Sequence, residues 1–159
     1  MGLDMYLERF PRGEKPRYQL ATEVGYWRKA NQIHNWFVEH VQDGIDDCCY
    51  HNEVTKEVLE ELLDTCTKVY ESCTMILGPV KNGAMFKNGE WIDCIEPGKV
   101  VIDPTLAKEL LPTTSGFFFG GTDYDEYYVD QIENTIRIIN DVLKGTDFDT
   151  EAIYYFSSW

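Results

Sequence analysis

The stretch Glu23–Gln42, EVGYWRKANQIHNWFVEHVQ, limits what this chain can fold into more than any other. Wound at about 100° per residue, it gathers Tyr26, Trp27, Ala30, Ile33, His34, Phe37, Val38 and Val41 within an arc of about 120°. Arg28, Gln32, Asn35 and Glu39 take the opposite side, and Asn31 falls at the edge of the arc between Trp27 and Val38. The pattern predicts an amphipathic helix of about five turns with a histidine on its apolar face. Two readings of that face stand side by side. In the first it is core, and His34 bonds a main-chain carbonyl. In the second Trp27, Asn31 and His34 line a cavity with Arg28 or Lys29 reaching round its rim. A planar, polar ligand would suit such a cavity, because aromatic faces stack and a few polar groups fix orientation.

The flanking segments supply the layers for this helix. Leu3, Met5 and Leu7 alternate with Asp4, Tyr6 and Glu8, which predicts a half-buried strand over Gly2–Phe10. Pro11, Gly13 and Pro16 then make a loop, and Asp43–Asn52 makes another. Thr55 is suited to cap a second helix carrying Val58, Leu59, Leu62, Leu63, Cys66, Val69, Tyr70, Cys73 and Leu77, with Gly78-Pro79 as its stop. Asn88-Gly89 between Met85-Phe86 and Trp91-Ile92 predicts a hairpin insertion over about 82–103. Asp103-Pro104 opens a short helix to about Leu111. In the segment that follows, Phe117 and Phe119 are expected on one side of a strand and Phe118 on the other. Thr122 or Asp123 caps a third long helix to about Lys144, and Ala152–Trp159 forms a strand whose natural partner is the N-terminal one. The expected fold is therefore α+β, a single domain over residues 1–159. Its small, mainly antiparallel sheet is built from the two termini and the Phe117–Phe119 segment and packs on three helices.

Charge and cysteine usage exclude several classes. Lys plus Arg number 14 against 28 Asp plus Glu, a net charge of -14, which opposes a general phosphate-backbone or anionic-membrane surface. Met1–Phe10 lacks a basic start and an apolar run, and no segment approaches the ~18–20 apolar residues of a membrane span. Free thiols in a reducing cytoplasm are the expectation for Cys48, Cys49, Cys66, Cys73 and Cys94. Cys48-Cys49 with His51 does not have the spacing of a tetrahedral metal site, and neither a metal nor a cofactor is expected. Gly120-Gly121 before a helix start could cradle an anion, but Asp123, Asp125 and Glu126 already occupy that first turn. None of G-x-S-x-G, a Walker loop, H-E-x-x-H or G-x-G-x-x-G occurs, and His34, His40 and His51 have no sequence-evident nucleophile, so no catalytic residue is assigned.

The start MGLDMYL, the core YWRKANQIHNWFV, the block DDC, the segment LPTTSGFFFGGTDYDEYY and the ending YYFSSW resemble a family of small proteins encoded by bacteriophages and prophages. Cys49 beside Cys48 and the 82–103 hairpin depart from that pattern without touching the shared blocks. The resemblance implies an accessory protein acting in the host cell cytoplasm against bacterial immunity, by sequestering a cyclic or ADP-ribose-type nucleotide signal. In that reading Tyr26, Trp27, Phe117, Phe119 and Trp159 offer aromatic surface, and Arg28, Lys29, Asn31 and His34 meet phosphate and ribose. Arg9, Arg12, Lys15, Arg17, Arg28 and Lys29 cluster in the first thirty positions, which offsets part of the acidic balance. No direct nucleic-acid or membrane partner is expected, while exposed aromatics make a homodimer reasonable. Two rivals remain: an acidic inhibitor of a host or defence protein, with nucleic-acid mimicry as one form of it, and a nucleotide-processing enzyme.

Overall fold

The computed structural model describes residues 2–159, and the fold is α+β. Its larger sheet has four antiparallel strands. The N-terminal strand β1 (Asp4–Pro11) lies at the centre between β2 (Thr22–Arg28) and the C-terminal strand; β3 (Asn52–Val54) covers the far edge. Alternation at the N-terminus is realised as expected, with Leu3, Met5 and Leu7 fully buried. Met5 stands opposite Ser157 and Leu7 opposite Tyr155, so the two termini close one sheet. On its outer face Tyr26, Tyr6 and Phe156 form a tilted aromatic ladder, with centroids 5.3 and 5.8 Å apart.

The long amphipathic stretch does not form one helix. Thr22–Arg28 is strand β2, and helix α1 begins only at Asn31 and ends at Val41. Three local features break the expected helix. Thr22, Val24, Tyr26 and Trp27 are β-branched or aromatic and fit a pleated surface. Lys29 takes the left-handed conformation with φ 58°, which turns the chain between the two elements. Gly25 lets a helix cross the strand closely, since a Cβ there would stand 2.6 Å from Ile138 Cγ2.

Thr55 caps α2 (Lys56–Ser72), accepting a hydrogen bond from the Val58 amide. The helix stops five residues short of Leu77, because Met75–Lys87 (β4) pairs instead with Glu90–Val101 (β5). The β-branched run Val100-Val101-Ile102 supplies the partner, and Ile102 N donates to Thr74 O at 2.9 Å, fixing the crossing point. The hairpin is therefore longer than expected and starts at Met75; Gly78 and Pro79 lie inside it. Asn88 and Gly89, both at positive φ, make its turn. Asp103 Oδ1 accepts from the Thr105 amide at the start of α3 (Thr105–Leu110). Asp125, two residues beyond the expected cap, accepts from the Tyr128 amide and opens α4 (Glu126–Gly145). The chain ends in β6 (Glu151–Ser158).

The Phe117–Phe119 segment contributes no strand. Phe118 and Gly120 have φ of 63° and 94°, so the chain coils and the three rings separate: Phe119 turns inward while Phe117 and Phe118 face solvent. One core joins the sheet to α1, α2 and α4 through Ile33, Phe37, Leu59, Leu62, Ile132 and Ile139. Phe37 stacks on Tyr155 at 4.1 Å and 14°, which lays α1 across β6. No helix among the described residues is long and apolar enough to cross a membrane.

Candidate functional site

A groove of about 730 Å³ opens where the end of β2, the 113–121 loop, the start of α4 and the β4 arm meet. Arg28 and Lys29 come from the end of β2 and the turn after it, Lys81–Ala84 from a bulge in β4, Phe118, Gly120 and Gly121 from the loop, and Tyr127 and Gln131 from α4. The volume lies in the range that small-molecule sites occupy.

Backbone strain converges on this groove. Lys29 and Phe118 are both long or bulky side chains at positive φ, a conformation such residues rarely adopt, and both line it. The fold holds them there through specific contacts. Lys29 N donates to Leu3 O at 2.8 Å, and Gln131 Nε2 donates to Lys29 O at 3.3 Å. Gln32 Nε2 in turn donates to Gln131 Oε1 at 2.8 Å. On the opposite wall Leu3 N donates to Phe118 O. Gly120 packs so tightly that a Cβ would lie 3.0 Å from Lys29 Cβ, so loop and strand end move as one piece.

Electrostatics divide the groove. Arg28 Nη1 sits 3.0 Å from Asp4, and its pKa is raised by the Tyr26 and Asp4 contacts. Lys81 Nζ sits 2.7 Å from Asp93 on the neighbouring strand. Among the described residues Lys29 forms no ion pair, so its ammonium is the free cation of the groove. Asp123 is exposed and also lines the groove, close enough to Lys81 to favour its charged form. Asp125 is buried, and desolvation raises its carboxyl pKa despite the amides of Tyr128 and Tyr127. Tyr128 donates its hydroxyl to Leu111 O at 2.9 Å; burial pushes its pKa upward.

Of the nine residues given a ligand-binding role from sequence, Arg28 and Lys29 line this groove and the other seven do not; Gly120 and Gly121, weighed as an anion cradle, also line it, with Asp123 and Asp125 beside them. Trp27, Asn31 and His34 do not line this groove and are buried instead. Trp27 is buried, and its Nε1 donates to Thr135 Oγ1 at 2.9 Å. Asn31 Nδ2 donates to Phe119 O and Gly121 O at 3.2 and 2.8 Å, and its Oδ1 accepts from Thr114 N at 2.9 Å. His34 is 2% exposed and lies between Tyr155 Oη (2.7 Å from Nδ1) and Asp46 Oδ2 (3.0 Å from Nε2). Phe119 is buried edge-on against His34, with centroids 5.2 Å apart, and Trp159 covers Phe119 at 5.5 Å. Tyr26 lies on the outer sheet face and donates its hydroxyl to Asp4 Oδ1 at 2.6 Å. Phe117 is exposed and packs against Phe118 with the rings tilted by 57° and their centroids 4.2 Å apart.

Phe118, Lys81, Tyr127 and Gln131 were not among the sequence candidates. Only Phe118 carried a signal: a bulky residue between glycines that permit a coiled loop. Among the described residues no group of three or more His, Cys, Asp or Glu is placed to hold a metal ion. Fold and site together define the class: an α+β domain with two antiparallel sheets and an open, cation-rimmed, aromatic-edged groove between them. No protein-family model matches the chain, nor does any curated protein or solved structure.

Proposed function

We propose that this protein binds a small anionic ligand with a planar ring, of nucleotide type, in the groove and holds it without turnover. The observation that carries the reading is the pairing of Lys29 and Phe118, two strained residues facing one groove. Lys29 supplies a free ammonium and Phe118 an exposed ring, one suited to phosphate and the other to a base. Arg28 and Lys81 extend the positive rim, and the main chain at Gly120-Gly121 is open to close approach. Asp123 is positioned to accept hydrogen bonds from ribose hydroxyls, the one role in which a groove carboxylate helps an anionic ligand. The resemblance to phage and prophage accessory proteins supports the biological half of the reading, a sponge for a defence-related nucleotide in an infected host.

The test is to purify the protein from cells with active nucleotide-signalling defences, denature it and identify released small molecules by mass spectrometry. The wild type releases an intact nucleotide in stoichiometric amount. Lys29→Ala and Arg28→Ala each release about tenfold less or lower, the loss expected when a charge-assisted contact goes, with unchanged circular dichroism. An empty protein from every such strain, with no thermal shift on added nucleotides, refutes the reading. Recovery of a converted nucleotide would make the protein an enzyme.

A further inference from the structure

We propose that the β4–β5 arm is the surface through which two copies of this chain associate, each arm covering the other about a two-fold axis. The arm is a two-stranded sheet hydrogen-bonded apart from the main one, an element of marginal stability when left in water. It is also the most apolar exposed part of the molecule. Leu77 (83%), Trp91 (73%), Phe86 (64%) and Ile95 (57%) are open to solvent on one face of the hairpin, with Met85 and Ile92 on the other. Weighted by those exposures the first face leaves roughly 550 Å² of apolar surface uncovered, given the ~150–250 Å² that a large side chain spans. That is at the upper end of the ~300–600 Å² patch of a typical monomer, and it matches the apolar share, about two-thirds, of the roughly 800 Å² that each partner buries in a stable homodimer.

Charge selects a second copy over a charged partner. In a chain of net charge -14, Lys81, Lys87 and Lys99 balance Glu90, Asp93 and Glu96, so the arm itself is neutral. Two copies meeting here bring no like-charge excess into contact, while contact through most other surfaces would. Packing face to face is the mode that fits. The β4 edge is broken by the bulge between Lys81 and Ala84, with Gly83 at φ 104°, and the β5 edge carries Glu90, Asp93 and Glu96, which self-pairing would set carboxylate against carboxylate. Two outer faces meeting about a two-fold axis are self-complementary. Because Lys81–Ala84 form one wall of the groove, association would also steady that wall.

Sedimentation of the full chain from roughly 0.1 to 100 µM decides the matter. The expected mass is twice 18.5 kDa. The double substitution Phe86→Lys/Trp91→Lys weakens association on the order of 100-fold or more, since exposed aromatics carry most interface energy. Neither ring belongs to the core, so the global unfolding midpoint, measured at concentrations where both proteins are monomeric, stays unchanged. Because the two rings also touch across the hairpin at 5.5 Å, Leu77→Glu, opposite Lys99 and free of that contact, is the second variant and weakens association as well. Tyr18→Lys, at a remote position 91% exposed, leaves the dimer intact. A wild type of 18.5 kDa at every concentration overturns the proposal, as does a dimer that survives the double substitution. Flotation of the wild type with phosphatidylcholine vesicles, abolished by the same double substitution, overturns it too and assigns the arm to lipid.

Discussion

Asn31 separates a framework residue from a ligand-binding one, and its replacement gives a sharp test. The side chain is 1% exposed and makes three hydrogen bonds to main-chain groups spanning Thr114 to Gly121. Each such bond contributes about 1 kcal/mol net, and the Phe119 carbonyl would be left buried without its partner. Asn31→Ala should therefore cost about 2–4 kcal/mol. In a chain of this length that lowers the melting temperature by about 6–12 °C. Because these bonds pin the loop bearing Phe118, amide exchange across 114–121 should accelerate more than exchange in α2. Asn31→Asp adds a discriminating arm. It keeps an acceptor for Thr114 N but sets a carboxylate oxygen against the carbonyls of Phe119 and Gly121, so it should destabilise at least as much as alanine. Urea unfolding and hydrogen-exchange mass spectrometry read both effects. A loss below about 1 kcal/mol, or unchanged exchange in the loop, would refute the argument that Asn31 works by holding the groove wall.

Gly120→Ala forces an L side chain to φ 94° with its Cβ 3.0 Å from Lys29 Cβ; the expected cost is about 1–3 kcal/mol by thermal unfolding. Gly121→Ala, which meets nothing within 4 Å, should stay within about 0.5 kcal/mol and serves as the control. Burial holds the His34 pKa below its ordinary value of 6.5, against the opposing pull of Asp46. Below pH 6.5 the unfolded chain takes up this proton before the native state does. Stability should thus rise with pH up to about that value and level off above it, and His34→Gln should reduce that slope in urea melts from pH 4.5 to 8. An unchanged slope in the variant would show that His34 does not govern the acid limb.

Strands set by strict alternation were legible because every residue voted the same way: Leu3, Met5 and Leu7 inward, Asp4, Tyr6 and Glu8 outward. The long helices were legible where periodicity ran for several turns, as with Ile132, Ile136, Ile139 and Val142 of α4. The failures fall where two periods fit the same short run. Trp27 and Ala30 lie on one helical face with Ile33, but Trp27 also alternates with Tyr26 and Arg28, and pairing with β1 decided between them. Leu77 extended the α2 period by a single residue, and the β-branched partner strand more than twenty residues on overrode it. The site was half legible for a related reason. Arg28 and Lys29 stood out as cations beside aromatics, whereas Lys81, Phe118 and Tyr127 join them only through tertiary folding.

Chemistry is often read from a histidine flanked by tyrosine and aspartate, and here position argues against it. The Tyr155 hydroxyl donates to His34 Nδ1 and the protonated Nε2 donates to Asp46, so the neutral ring is saturated on both sides. Burial favours that neutral form and also raises the Tyr155 pKa well above its ordinary value, which keeps the proton on the phenol. Both ring nitrogens of His34 are engaged and the ring is 2% exposed, so the imidazole has no free lone pair or proton to offer at the surface. The line instead ties α1 to β6 and to the 43–51 loop, the same framework that positions β2 and its terminal Arg28 and Lys29. Asn31, Gln32 and His34, the buried polar residues of α1's inner face, all bond to other groups of the protein. Lys29, without an ion pair among the described residues, sits at the groove beside an exposed strained ring, and that difference in saturation is the physical reason to propose binding there rather than at the histidine.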